Sequence, residues 1–541
     1  MTTEYDLDTP GTIRIFDDRH QDGEGTTEIT LIPTPSHDPE DPLNWSRGRK
    51  NLHLACLTWY TFVLSMGASA LSSIYTPLSE STGLTLDQLN VGSGYSYLFI
   101  GLSTLILQPA ALAFGKRPVY VISIAAAAGL TAWTAFVQGN SQWIANRLLL
   151  GFFAGPSFSL VEVSIADVSF LHERSTPLGL YVCLLYVGAL LSPILGGYIY
   201  TGLGWKAIIW MMAGLEGITA IVLFIFLEET NFTCDIPYVS DNPSQTDGLD
   251  RGDDIKGSKE PTVEPTTLPV PAPRMETKWP GPRPWRFGKR SPYASGIMWR
   301  GLIQPLALMA SPLVFWCGVL YGIYQVYFNL FAFLSSGILS YPPYNFAPNS
   351  VGLTWFSPLV TCIPGALFGG WLADKYAIRM AKQNDGICEP EHKLRLFIIP
   401  AVFIPIGLLM MGLGPYYEAH WIVYVIGEGV VNLVGPLGTV LVLSYAFDSF
   451  HPIQPLDPTG VHASVQDSAP YLTCTMVIAM CVTFGFGYAI TPWAFTWGLK
   501  NFAISAACSS LVFNGSAVAI YVFGKRLRRV GQGFYNKVIN W

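Results

Sequence analysis

Charge is the scarcest property of this chain: Lys, Arg, Asp and Glu together make up 13% of its 541 residues. Globular domains carry nearer a quarter, so this composition excludes an ordinary water-facing protein. Other shortages narrow the field. No Gly-xxxx-Gly-Lys-Ser/Thr stretch is present to cradle nucleotide phosphates, which argues against a nucleotide-driven pump. The nine cysteines (Cys56, Cys183, Cys234, Cys317, Cys362, Cys388, Cys474, Cys481, Cys508) contain no Cys-x-x-Cys pair and lie mostly in apolar runs. They read as small core residues and imply neither a disulfide frame nor a metal site. The first 45 or so residues are polar and acid-rich and lack the apolar core of a signal peptide. His172 has no nucleophile near it in sequence and reads as interfacial, so no enzyme is expected. No cofactor and no nucleic-acid partner is implied.

What the chain does have is hydrocarbon. It is 50% apolar with a mean hydropathy of +0.37, the composition of an integral membrane protein. Six apolar runs lie at roughly 51–73, 90–112, 118–138, 142–168, 178–203 and 206–228. Six more lie at about 311–339, 351–373, 394–414, 421–447, 470–492 and 499–524. Runs of about 20 residues cross a bilayer as helices, so the expected fold is all-α with twelve transmembrane helices in two six-helix halves. The corresponding divisions are a tail 1–50, a first bundle 51–228, a central loop 229–304, a second bundle 305–524 and a tail 525–541. The central loop carries the proline-rich stretch Pro261 to Pro273 and the basic cluster Arg283 to Arg290.

Lysine and arginine set orientation. Arg47, Arg49, Lys50, Lys116, Arg117, Arg174, Lys375, Arg379, Lys382, Lys393, Arg395 and Lys525 to Arg529 fall on one side with the central loop, against little more than Lys206 and Lys500 on the other. Both termini and the loop are therefore expected in the cytoplasm. The sequons at Asn44, Asn231 and Asn514 fall on that side or inside a span and read as chance matches.

Within the fifth run, Gly188-Ala-Leu-Leu-Ser192-Pro193-Ile-Leu-Gly196-Gly197 concentrates helix breakers. Such breakers persist in lipid where neighbouring helices pack closely enough to satisfy the backbone, and Gly188, Ser192 and Gly196 make one flat face. An internal repeat links the halves: Gln108 to Pro118 and Gly370 to Arg379 are offset by 262 residues (370 less 108), and Arg117 and Arg379 coincide under that offset. The second copy holds Asp374 and Lys375, whereas the first has Leu112 and Ala113 there and keeps only Gly115, Lys116 and Arg117. An aspartate at a helix end can latch onto a helix N-terminus of the opposite bundle; the basic residues also serve as topology signals.

These stretches resemble the major facilitator superfamily. The Gly188–Gly197 pattern is similar to the antiporter motif of its proton-coupled drug exporters, with Ser192 where glycine is usual. Arg147-Leu-Leu-Leu-Gly151, Glu228-Glu229-Thr230 and Tyr341-Pro-Pro-Tyr-Asn345-Phe resemble the fungal drug:proton antiporters, in a branch that also contains polyamine and histidinol transporters. Phe158 stands where that branch often has an acidic residue, and Ala479-Met480 where it often has Arg-Asn. The resemblance implies a proton-coupled exporter of a small amphipathic compound in the plasma membrane, acting as a monomer on a small-molecule substrate with protons as the coupling ion. Uptake of an organic cation is the alternative, and a non-transporting sensor the lesser one. The vacuolar membrane is a second possible residence.

A charge at the bilayer centre costs at least a few kcal/mol, which singles out Arg147, Glu162, Glu216 and Glu428 as proton-coupling candidates. A carboxylate in a low-dielectric site holds its proton more tightly and can load and release it near neutral pH. Glu428, flanked by Gly427 and Gly429 with Asn432 one turn on, is the first choice; Glu216 also suits a hydrogen bond between peripheral helices, and Glu162 a structural pairing. Tyr321, Tyr324 and Gln325 share a face of the seventh run and, with Phe158 and Asn432, are the substrate-cavity candidates.

Overall fold

A computed structural model describes residues 12–14, 41–170, 173–231, 294–384, 387–449 and 469–539. His172, Cys234, the Pro261–Pro273 and Arg283–Arg290 stretches and most of the tail 1–50 lie outside these residues. The first group of helices is α1 (Arg47–Ser69), α2 (Tyr75–Thr82), α3 (Leu86–Phe114), α4 (Lys116–Thr134), α5 (Asn140–Ala154), α6 (Leu160–Val168), α7 (Ser175–Leu203) and α8 (Trp205–Phe226). The second is α9 (Ala294–Leu308), α10 (Pro312–Leu339), α11 (Pro348–Thr354), α12 (Phe356–Gln383), α13 (Glu391–Leu394), α14 (Ile398–Tyr416), α15 (Trp421–Ser449), α16 (Ala469–Phe495) and α17 (Leu499–Ile539). Among the described residues, eleven helical spans are long and apolar enough to cross a membrane. The twelfth expected run is α4, which opens on Lys116 and Arg117; those two charges hold its mean hydropathy down.

Local signals place the turns. Thr85 and Gln88 close a capping box at the start of α3, satisfying backbone donors that the first turn leaves open. Gly115, at φ 105°, lets the chain leave α3 and enter α4 without an intervening loop.

Burial separates centre from rim. In their most apolar windows α15 buries 89% of its residues, α10 81% and α7 72%, against 39% in α8 and 33% in α17. The interior therefore lies among α7, α10 and α15, while α8 and α17 turn toward lipid. The two groups meet along two seams, α7 against α12 and α3 against α16.

Three features differ from the expected spans. The fourth run is not one helix: it breaks between α5 and α6 through a 3-10 turn at Gly155–Ser157, because Pro156 has no N–H to continue the ladder. The interval read as loop to residue 304 contains most of α9. The tail read from 525 is helix to Ile539, its basic residues having ended the hydropathy window but not the helix.

At the end where Arg49 and Lys116 lie, called here the basic end, charge is paired. Arg49 grips Glu228 through two bonds of 3.0 and 2.6 Å. Arg528 of α17 grips Glu391 likewise, at 2.9 and 2.5 Å, with both side chains almost fully buried. Strand β1 (Ile13–Arg14) pairs antiparallel with β2 (Ile387–Cys388) beside them, and Thr12 Oγ1 accepts from Arg528 at 3.5 Å.

Removing one partner of a buried ion pair costs about 3 kcal/mol or more. Glu391→Ala should therefore lower the thermal unfolding midpoint in detergent, and Glu391→Ala/Arg528→Met should recover part of the loss; equal midpoints for Glu391→Ala and the unaltered chain would show that the pair carries no stability.

Candidate functional site: the seam between halves and the polar cluster behind it

Glycine lets α7 lie against its neighbours on two sides. A Cβ on Gly196 would come within 2.6 Å of the Ala70 carbonyl oxygen, and one on Gly188 would strike Ser65 and the Phe62 backbone, so both residues face α1. Gly197 instead meets α11, where a Cβ would lie 3.8 Å from the Gly352 Cα. Ser73 donates to the Pro193 carbonyl at 2.7 Å, and Ser192 is fully buried on the same helix. At the basic end a Cβ on Gly179 would sit 3.2 Å from the Gly370 Cα of α12. The flat face read from the sequence is thus half of a contact; the same helix also meets the opposite group along most of its length.

Asp374, at the basic end of α12, accepts from the backbone N–H groups of Ser175 and Thr176 at 3.3 and 2.9 Å, and from Thr176 Oγ1 at 2.8 Å. A carboxylate of one group therefore caps the N-terminus of α7 in the other, where orphan donors and the helix dipole both favour an anion. Lys393 reinforces the joint, 2.7 Å from Asp448 and 3.1 Å from Ser175 Oγ. The other latch candidates do different things. Lys375 lies over the Trp371 ring at 4.1 Å on its own helix, and Arg379 is exposed. Lys116 pairs with Asp167 within the first group. The backbone N–H groups of Lys116 and Arg117 donate to Glu229 at 2.9 and 3.2 Å, and an Arg117 nitrogen donates to the Phe224 carbonyl at 2.5 Å.

Behind the seam sits Glu162, in the first turn of α6 directly after the helix break. The break is answered by Tyr181 of α7, whose hydroxyl donates to the carbonyls of Ser157 and Phe158 at 3.0 and 3.2 Å. Glu162 is fully buried, and neither carboxyl oxygen has a hydrogen-bond partner among the described residues. Its polar neighbours are the hydroxyls of Tyr321 on α10 and Tyr181. Hydroxyl contacts continue across the groups: Tyr186 to Thr439 at 3.3 Å, and Tyr97 to Asn329 at 2.6 Å. Tyr324 donates to Asn514 of α17 at 2.6 Å. Gln325 is buried beside them, and Phe158 packs on the core at the break.

The remaining candidates are scattered. Glu428 is fully buried with neither oxygen bonded among the described residues; its neighbour is Tyr424, one turn away, and Asn432 donates to its backbone carbonyl at 3.0 Å. Glu216 fills the space opposite Gly67, between α8 and α1. Arg147 is buried under the Trp143 ring at 4.0 Å. The structure thus gathers Glu162, Phe158 and Tyr321, and leaves Glu216 and Arg147 apart from them. Sequence reasoning missed Tyr181, Tyr186 and Asn514; Gly155-Pro156 was the available signal for the break. At the end opposite the basic one, a cavity of about 510 Å³ opens between the groups, lined by Tyr75, Asn90, Ser336 and Tyr341 among others.

Comparison with known proteins agrees with this architecture. Residues 57–465 match the family model of the Major Facilitator Superfamily. An uncharacterized MFS-type transporter of Schizosaccharomyces pombe is 26% identical, over 97% of this chain and 93% of its own. Protein HOL1 of Saccharomyces cerevisiae is 23% identical over 98% and 97%, and MFS transporter fsa7 of a Fusarium species 25% over 76% and 75%. Among solved structures, the human organic anion transporter MFSD10 superposes with a TM-score of 0.58 at 14% identity, covering 86% of this chain and 99% of that one. At that identity the likeness speaks for the fold alone.

A helix N-cap is worth about 1 kcal/mol, and Asp374 adds charge to the cap. Asp374→Asn should weaken closure of the basic end and lower transport at matched expression, while Leu112→Ala, at the equivalent place in the first half, should change it little. Equal losses would show that the two loops do not differ in role.

Proposed function

The chain belongs to the major facilitator superfamily and is a membrane transporter, and on that premise we propose that it exports a small amphipathic organic compound in exchange for protons. The observation that carries the coupling is Glu162: a carboxyl buried where a helix breaks, facing a tyrosine of the opposite group, with no cation beside it among the described residues. Discontinuous helices near the middle of a transporter are where coupling ions and substrates bind. An ionised carboxylate in so dry a place lacks the pairing it needs, and an arriving proton or cationic substrate supplies it. Glu428 shares the burial and the missing partner, but its polar neighbour comes from its own helix. We therefore rank Glu162 first as the proton carrier and Glu428 second.

The proposed substrate class rests on the side chains packed around Glu162 and between the groups. Phe158 and Phe328 offer rings, Tyr181, Tyr186, Tyr321 and Tyr324 rings with hydroxyls, and Gln325 and Asn329 amides, a set suited to a greasy molecule with a few polar groups once the groups part to admit it. Direction rests on the Gly188–Gly197 sequence, which resembles the antiporter motif of proton-coupled exporters. The distribution of lysine and arginine supports placing the basic end, both termini and the central loop in the cytoplasm, and the plasma membrane is the proposed residence. Uptake of an organic cation is the second reading, favoured by the two carboxyls, Glu162 and Glu428, that have no basic partner among the described residues.

The deciding experiment is transport of a labelled panel, amphipathic aromatics beside linear polyamines, in a transporter-deficient host and in proteoliposomes under a pH gradient. Glu162→Gln should abolish proton-driven accumulation and leave gradient-free exchange running, with Glu428→Gln having the smaller effect. A folded Glu162→Gln protein that still concentrates substrate with unchanged pH dependence would remove Glu162 from the mechanism. Accumulation of polyamines inside the cell would reverse the proposed direction.

A further inference from the structure

The two seams are closed at the basic end by unlike means. Where α12 meets α7, Asp374 caps a helix. At the corresponding place in the first half, α3 carries Leu112, and no carboxylate reaches across from it to α16. What lies there is α9. Its Gly301 is set so tightly on Pro109 of α3 that a Cβ would stand 2.6 Å from the proline Cβ. The same helix packs on α16 and α17 of its own group, and Gln304 donates to the Val538 carbonyl of α17 at 3.3 Å. Gln304, Pro305 and Leu308 are buried in this joint, while Trp299 and Leu306 are exposed.

We propose that α9 is the closing element of the α3–α16 seam, an apolar wedge standing where the other seam has the Asp374 cap, and that it must come away from Pro109 for the basic end to open. Three features fit this motion. The Gly301–Pro109 contact is made of carbon, so parting it strands no polar group. The bond from Gln304 to Val538 ties α9 to the second group, so it departs with that group when the two rock apart. Only three residues separate α9 from α10, which leaves it little freedom to stay behind with α3. The sequence is consistent with this: the seam with Leu112 in place of an aspartate is the one α9 covers.

A reporter that needs no substrate tests this. Val477 on α16 faces Gly101 of α3, its Cα 3.5 Å from a Cβ built there, so Val477→Cys reads opening of the seam. The full-length chain carrying it, in lipid nanodiscs, is exposed to a water-soluble maleimide, and labelling of that peptide is followed by mass spectrometry. Gly301→Phe, too large to sit on Pro109, should raise the labelling rate several-fold; an unchanged rate overturns the wedge. In the Pro109→Cys/Gly301→Cys background, oxidation should join α9 to α3 and protect position 477, and reduction should restore labelling. Equal labelling of the oxidised and reduced forms would mean that the seam opens with α9 still on α3, and the proposal fails. The double-cysteine arm decides alone where Gly301→Phe yields no folded protein. Because the readout is conformational, its failure is independent of whether the chain exports, imports or couples to protons.

Discussion

Hydrocarbon gives a peptide group nothing to bond to, and the structure follows from how each departure from helix is answered. The break after α5 frees carbonyls at Ser157 and Phe158, and Tyr181 meets both. Along α7, Ser73 adds a bond to the Pro193 carbonyl from outside the helix. The answer to the break comes from another helix, so this irregularity also fixes a tertiary contact. The break that Tyr181 stabilises is what places Glu162 in the first turn of a new helix rather than in the middle of an old one.

The same economy governs the meeting of the two groups. Helices approach closely only where side chains are absent, and α7 supplies glycines at both ends of its contact with the second group. Between those ends the interior is polar in hydroxyls and poor in charge. Tyr186 and Thr439, and Tyr97 and Asn329, join the groups through bonds that exchange readily. The strong interactions are kept to the basic end, where Asp374, Lys393 and Asp448 converge on the start of α7. A transporter built this way has a firm closure at one end and a soft, rearrangeable middle.

Much of this could be read from the sequence because lipid imposes a coarse grammar. The apolar runs matched helices to within a few residues in most cases, and Asp374 stood out as an acid at a helix end inside a repeat. The glycine face of α7 was legible on one side, because four-residue spacing reports a single stripe; the second side, Gly197 against Gly352, depends on a helix more than 150 residues away and leaves no local mark. The break at Gly155-Pro156 was hidden by averaging, since the run stays apolar across it. Helix α9 was lost beside a polar interval, and the end of α17 because arginine lowers hydropathy without lowering helix propensity. Glu428 drew attention through its flanking glycines, and Glu162 gains its place only when Tyr321, on another helix, is brought beside it.

The unlike chemistry of the two seams has a thermal consequence. Covering carbon at Gly301 and Pro109 removes apolar surface from water and carries a negative heat-capacity change, whereas capping the N-terminus of α7 exchanges one set of polar bonds for another. The balance between shut and open at the basic end must then curve with temperature. Cooling weakens the carbon joint while leaving the carboxylate cap largely in place, so in the cold the protein is held shut on one flank and loosened on the other.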